Sequence, residues 1–134
     1  MTEPIWLKRA WVDAIHFQQL QRFGGRYGVR DAGALDSALA RPQNLLAYQS
    51  DADPADLAAS YGFGLTRGHG YVDGNKRIGF LAMAVFLEIN GYRLEAPEPD
   101  VVRVMLAVAS GALAQTELAA WVRKQIVAIG AAPG

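Results

Sequence analysis

Cysteine is absent from the 134 residues of this chain, so the sequence offers no disulfide bond, thiolate nucleophile or thiolate metal ligand. That absence excludes a disulfide-stapled secreted scaffold and is compatible with a reducing compartment. The N-terminal stretch MTEPIWLKRAW also lacks the apolar core of a signal peptide. We therefore expect a cytoplasmic protein.

An excess charge of either sign is also missing, because 13 Lys and Arg balance 13 Asp and Glu. A generic nucleic-acid binder usually carries a basic excess, so the composition predicts no direct nucleic-acid partner. The sequence contains no polybasic run that would favour binding to a membrane surface, and no apolar segment is long enough to cross a bilayer. With 51% hydrophobic residues, the chain fits a single folded domain over residues 1–134.

The hydrophobic spacing predicts an all-α fold, a compact bundle of about six helices around a buried central helix. The segment from Ile78 to Leu87 forms that centre, because its ten residues carry no charged or amide side chain. The predicted boundaries are Gly24 and Pro42, which end the first two helices, Asp53, which caps the third, Asn90-Gly91, which ends the central helix, and Thr116, which caps the last.

The start of the central helix carries an unusual set of charges. Asp73 is predicted as its N-cap, followed by Gly74, Asn75, Lys76 and Arg77. Lys76 and Arg77 oppose the positive end of the helix dipole, and a broken local rule of this kind often marks a functional site. Two interpretations stay open: an anion binds the free amides and both cations, or Asp73 pairs with one cation and water screens the other.

The two histidines receive different interpretations. His69 lies four residues before Asp73, where a histidine beside a phosphate-binding helix start can act as a general base. His16 lies on an apolar helix face, which predicts a core histidine hydrogen-bonded to backbone. HGYVDGNKR contains no serine, threonine or cysteine, and one His with one Asp is too few ligands for a closed zinc site. Phosphoryl or nucleotidyl transfer therefore fits this set best.

HGYVDGNKR resembles the signature of the Fic/Doc superfamily, and in particular the HxFx[DN][AG]NKR pattern of its Doc (death on curing) toxin branch. The matching residues are His69, Asp73, Gly74, Asn75, Lys76 and Arg77. Tyr71 stands where the family usually has Phe, and Gly70 stands where Pro or Ile is common. The stretches FGGRYGVRDAGALDSALARPQ and FLEINGYRL are also similar to the family, so the likeness covers most of the chain.

This resemblance implies a role for each matching residue. His69 would accept the proton of a target hydroxyl, and Asp73 would hold Mg²⁺ on the phosphates of ATP. The helix-start anion hole would consist of Gly74, Asn75 and Lys76, while Lys76 and Arg77 would neutralise the charge that develops during transfer. The family also has a flap that helps to dock the protein target, and residues 43–52, predicted as a loop, are the candidates for it.

By the same resemblance, Doc-type proteins transfer the γ-phosphate of ATP to elongation factor Tu, stop translation and are held inactive by a small Phd-like antitoxin. The NKR ending favours this activity, on the hypothesis that Lys76 prevents the phosphate seating that leads Fic enzymes to transfer AMP. The alternatives are AMP transfer of the Fic type, a non-catalytic binding module, and an RNA-directed toxin on the same fold.

Overall fold

A computed structural model describes residues 3–129, which form six α-helices and one two-stranded antiparallel sheet. The elements are α1 (Arg9–Phe23), α2 (Ala32–Tyr48), α3 (Pro54–Gly68), α4 (Asn75–Ile89), β1 (Tyr92–Leu94), α5 (Glu98–Ser110), α6 (Gln115–Gln125) and β2 (Ile126–Ala128). The predicted helical bundle is confirmed, with the small sheet as an addition. Within these residues, no helix has both the length and the apolar character that crossing a membrane requires.

The core lies around α3 and α4, which pack against each other. α4 buries Ile78, Ala82 and Phe86 as predicted, although Ile89 on the same stripe is 36% exposed. α3 is enclosed more completely, since ten of its 15 residues are buried and it contacts α2, α4, α5 and α6. The expected buried helix is therefore present, but α3 is the helix at the centre of the bundle.

Two glycines bring α3 and α4 into close contact. A methyl group at Gly62 would lie 2.5 Å from the sulfur of Met83. A methyl group at Gly79 would overlap the hydroxyl of Thr66 and lie 3.0 Å from the carbonyl oxygen of Gly62. The close approach fixes the start of α4 relative to the end of α3, and the predicted site lies in the connection between them.

The second helix is longer than predicted. Pro42 does not end it, because α2 continues to Tyr48 with Pro42 buried in its interior. Leu45 and Leu46, about one turn further on, pack against the core. Their burial outweighs the loss of the one backbone hydrogen bond that a proline cannot donate. The loop predicted over residues 43–52 is therefore wrong for residues 43–48.

The start of α3 is confirmed, whereas the start of α6 is not. Asp53 accepts from the Asp56 N–H (2.8 Å), and the Asp56 carboxylate accepts from the Asp53 N–H (3.0 Å). Arg123 of α6 also donates to Asp53 (2.7 Å), and this hydrogen bond is the main reason why the pKa of Asp53 is lowered.

α6 begins directly after Ala114, whose N–H donates to Glu117. The predicted Thr116 cap is wrong, because Glu117 already satisfies the helix start.

The two short strands join the end of α4 to the end of α6. β1 pairs antiparallel with β2, with Tyr92 opposite Ala128 and Leu94 opposite Ile126. The sequence predicts an extended link over residues 92–96, where β1 is found. It also predicts that Ile126 belongs to the apolar stripe of the last helix, which is wrong because β2 begins there. Ile126 and Val127 are consecutive β-branched residues, which favour extended backbone, and Ile126 packs against the core from the strand.

We expect Gly79→Ala to lower the free energy of unfolding by about 1–3 kcal/mol, because the methyl group overpacks the contact between α3 and α4. Gly33→Ala, in the first turn of α2, is the matched control, since a methyl group there meets only the Asp31 carboxylate at 3.4 Å. The control should be neutral or stabilising by roughly 0.5–1 kcal/mol. Urea unfolding measures both, and wild-type stability in Gly79→Ala would contradict the packing described.

Candidate active site

His69 ends α3 at the edge of the predicted site. Its backbone is left-handed (φ 51°, ψ 44°), and it is the only non-glycine residue with a positive φ among residues 3–129. Its side chain is exposed. A histidine that is held in a costly backbone conformation and open to solvent has the accessibility that proton transfer to a substrate requires.

Asn75 closes the loop that follows His69. Its Oδ1 accepts from the backbone N–H of Tyr71 (3.1 Å), and its Nδ2 donates to the Tyr71 carbonyl oxygen (2.9 Å). Both ends of the amide are therefore used to hold the loop. Because its side-chain amide is bonded to the loop, Asn75 offers its backbone N–H to an anion hole.

The start of α4 presents a row of free backbone donors. The N–H groups of Gly74, Asn75, Lys76 and Arg77 have no hydrogen-bond partner within residues 3–129, and helical bonding begins with Ile78 N–H to the Gly74 carbonyl (2.9 Å). No side chain caps this helix. Four free donors at the positive end of a helix dipole form a ready site for an anion.

Asp73 is not the N-cap of α4, and this prediction is wrong. The N-cap is Gly74, and the Asp73 carboxylate turns away to accept from the backbone N–H of Arg26 (2.8 Å). The described part of the chain contains no ion pair between Asp73 and Lys76 or Arg77. Pairing of Asp73 with one of the two cations is therefore not how the structure resolves the charge at the helix start.

Gly74 is required by its backbone conformation and by its contact with α1. Its φ is +77°, a region that residues with a side chain rarely adopt. A methyl group at Gly74 would lie 2.8 Å from Nε2 of Gln19 and 3.4 Å from Nε2 of His16. The space left by the missing side chain is thus occupied by side chains of α1.

The two cations at the helix start have different surroundings. Lys76 is exposed, and its side chain forms no hydrogen bond or ion pair with the described residues. Arg77 donates from Nη1 to Oε1 of Gln19 (3.1 Å), and its guanidinium lies 4.4 Å from the ring centroid of Phe23. Lys76 is consequently free to meet a ligand, whereas Arg77 is already oriented by α1.

His16 packs against the loop between α3 and α4, and its predicted role as a buried histidine bonded to backbone is confirmed. It is fully buried, and its Nε2 donates to the Asp73 carbonyl oxygen (2.8 Å). Its ring stacks on Tyr71 at a centroid distance of 3.6 Å. The Tyr71 hydroxyl donates to Asp13, and burial raises the pKa of Tyr71 well above its ordinary value. The hydroxyl that distinguishes Tyr71 from phenylalanine therefore has a partner.

Residues 24–31, here called the flap segment, lie against the loop between α3 and α4. Val29 forms an isolated antiparallel bridge with Tyr71, flanked by Val72 N–H to the Gly28 carbonyl (2.9 Å) and Arg30 N–H to the Gly70 carbonyl (2.8 Å). The prediction that residues 43–52 lie over the site is not supported, since most of them belong to α2 and the flap segment occupies this place.

Gly70 is explained by the neighbouring helix. A methyl group at Gly70 would overlap the side chain of Leu35 in α2. The glycine allows the loop to pack directly on α2, and the larger residue common in the family at this position would require Leu35 to move.

Arg67, one turn earlier, donates to the carbonyl oxygens of Val108 and Ala109 at the end of α5 (3.4 and 3.3 Å).

The chain belongs to the Fic/DOC family, whose model matches residues 6–87 and so includes the whole loop and the start of α4. It is 50% identical over 76 residues to the Toxin Doc of Mycolicibacterium smegmatis, covering 55% of this chain and 58% of that toxin. It is also 28% identical over 111 residues to the Protein kinase doc of Escherichia phage P1, covering 83% of this chain and 87% of that protein. Both relatives are Doc proteins, which supports the Doc branch of the family.

We expect Asn75→Ala to loosen the loop after His69, because it removes both hydrogen bonds to the Tyr71 backbone. We expect the variant to lose about 1.4 kcal/mol of local stability, which makes exchange of the Tyr71 amide hydrogen roughly tenfold faster. Lys76→Ala is the control, since Lys76 forms no such contact. Hydrogen exchange followed by NMR distinguishes the two, and unchanged Tyr71 protection in Asn75→Ala would show that the amide does not hold the loop.

Proposed function

We propose that this protein is a Doc-type toxin that transfers the γ-phosphate of ATP to a hydroxyl side chain of a protein target. One observation carries the proposal: four free backbone N–H groups and an unpaired lysine start α4, six residues after the exposed His69. An anion with several oxygens fits this site, and phosphoryl transfer needs mainly positioning and charge neutralisation.

Asp73 is the residue that we propose as the protein ligand of Mg²⁺. Its Oδ2 accepts from the backbone N–H of Arg26, while its Oδ1 has no hydrogen-bond partner within the described residues. No group of three His, Asp or Glu that could hold a metal occurs in residues 3–129, so phosphate oxygens and water would complete the coordination that Mg²⁺ prefers. When bound, the ion supplies positive charge to the phosphates and orients them.

In the proposed reaction, His69 accepts the proton of the target hydroxyl. The hydroxyl oxygen bonds to the γ-phosphorus, the bond from that phosphorus to its bridging oxygen breaks, and ADP leaves with the electron pair. Lys76, Arg77 and the α4 amides stabilise the charge that builds on the transferred group. The Doc resemblance nominates elongation factor Tu as the target, with inhibition of translation as the consequence.

Lys76 is proposed to select phosphate transfer over AMP transfer. Fic signatures have a glycine at this place, which leaves room for the α- and β-phosphates in the anion hole. Lys76 instead supplies an exposed ammonium group without an ion pair among the described residues, and its charge is proposed to attract the terminal phosphate. The nucleotide then lies with its γ-phosphorus facing His69.

His69→Ala should abolish transfer while ATP binding persists, because the change removes the base and leaves the free amides of α4 intact. The test incubates the protein with ATP, Mg²⁺ and a bacterial lysate and follows the mass of the modified target, with calorimetry for ATP binding. Full activity of His69→Ala would exclude the base role. Loss of ATP binding would instead make His69 a structural part of the loop.

Lys76→Gly should lose phosphorylation and favour AMP transfer, because it recreates the space of a Fic anion hole. Lys76→Ala is the control, since it removes the ammonium group without the backbone freedom that glycine adds at a helix start. Mass spectrometry of the target separates the two adducts. An AMP adduct from the wild-type protein would overturn the kinase assignment and favour a Fic-type AMP transferase.

A Phd-like antitoxin is the proposed partner. Expression of this chain alone should slow bacterial growth, and a gene beside its own should relieve the effect through a segment that folds onto the toxin. The His69→Ala variant serves as control and should be harmless. Normal growth with folded wild-type protein in the cell would count against the toxin proposal.

A further inference from the structure

Gln19 of α1 is the residue that holds the Arg77 side chain in place. It is only 5% exposed, and its Oε1 accepts from Nη1 of Arg77 (3.1 Å). This is the one side-chain hydrogen bond of Arg77 within residues 3–129. Phe23, one turn further along α1, covers a face of the same guanidinium at 4.4 Å. Two contacts from α1 therefore set the direction of the Arg77 charge.

The other end of the Gln19 amide has no partner. Its Nε2 is buried without a hydrogen bond within the described residues, and it lies 2.8 Å from the place that a Cβ of residue 74 would take. A desolvated donor without an acceptor lowers stability, whereas a methionine of similar volume would fill this space without an orphaned polar atom. Packing alone therefore does not account for a glutamine here, and the acceptor that it provides to Arg77 does.

A neutral acceptor is well suited to this task. An aspartate or glutamate next to Arg77 would also hold the guanidinium, but its charge would offset the positive charge at the helix start. The amide oxygen orients Arg77 and leaves its full charge for a ligand. Gln19 contacts both ends of the first turn of α4, Gly74 and Arg77, and so couples the position of α1 to the geometry of the anion site.

We propose that Gln19 is a positioning residue that directs Arg77 toward the transferred phosphoryl group. The proposal rests on the proposed function for its catalytic consequence, but the orientation of Arg77 is a property of the protein without nucleotide. Gln19 acts through Arg77 and contacts no reacting atom. A displaced cation stabilises the transition state less well, because catalytic groups must be placed to within a fraction of an ångström.

The first test compares Gln19→Met with Gln18→Met, its exposed neighbour on α1. Gln19→Met should lower kcat/KM for transfer roughly tenfold to a hundredfold, without loss of thermal stability, while Gln18→Met should behave as wild type. In an Arg77→Ala background, Gln19→Met should cause no further loss, because its effect passes through Arg77. An equal loss in both backgrounds, or wild-type activity of Gln19→Met, would overturn the proposal.

The second test needs no activity. NMR of the free protein should show distinct, slowly exchanging guanidinium signals for Arg77, which Gln19→Met should lose and Gln19→Glu should restore. Gln19→Glu should also bind ATP roughly tenfold more weakly, because its carboxylate offsets the Arg77 charge. Arg77 signals that are the same in wild type and Gln19→Met would overturn the positioning role. If the signals change as expected but wild type transfers no phosphate, only the proposed function fails.

Discussion

Two hydrogen bonds between the Asn75 side chain and the backbone of Tyr71 are the constraint on which the rest of the site depends. They close the loop that leads from His69 to α4, and no side chain caps the first turn of that helix. Because Asp73 is turned to the flap segment, no carboxylate competes for the amides of that turn. The same local geometry thus exposes the histidine, frees the helix start and leaves Lys76 without a partner.

The first helix supplies the support beneath this loop. His16 bonds the Asp73 carbonyl and stacks on Tyr71, while Gln19 packs against Gly74 and orients Arg77. A glycine at position 74 is what allows α1 to approach so closely. The site therefore rests on three parts of the bundle, the end of α3, the start of α4 and one face of α1, and the close packing of α3 on α4 fixes their positions.

Sequence reasoning found what is encoded locally and missed what depends on distant contacts. The helix start at Asp53-Pro54 and the stop at Asn90-Gly91 follow from neighbouring residues, and both are confirmed. The prediction that Asp73 caps α4 is wrong because the Asp73 carboxylate bonds to Arg26, which is 47 residues away in the sequence. The prediction that Pro42 ends α2 is wrong because burial of the leucines that follow outweighs the lost backbone hydrogen bond. Gln19 and the flap segment carried no local signal, since their importance arises only when α1 and residues 24–31 meet the loop.

Binding of ATP phosphates by the free amides at the start of α4 is the step on which the proposed function depends. The most direct test is a titration of the isotope-labelled protein with ATP and Mg²⁺, followed through the backbone amide signals. We expect the largest saturable shifts at Gly74, Asn75, Lys76 and Arg77, and we expect Lys76→Ala to weaken the binding. Saturable ATP binding that leaves these four amide signals in place, or no binding at all, would contradict it.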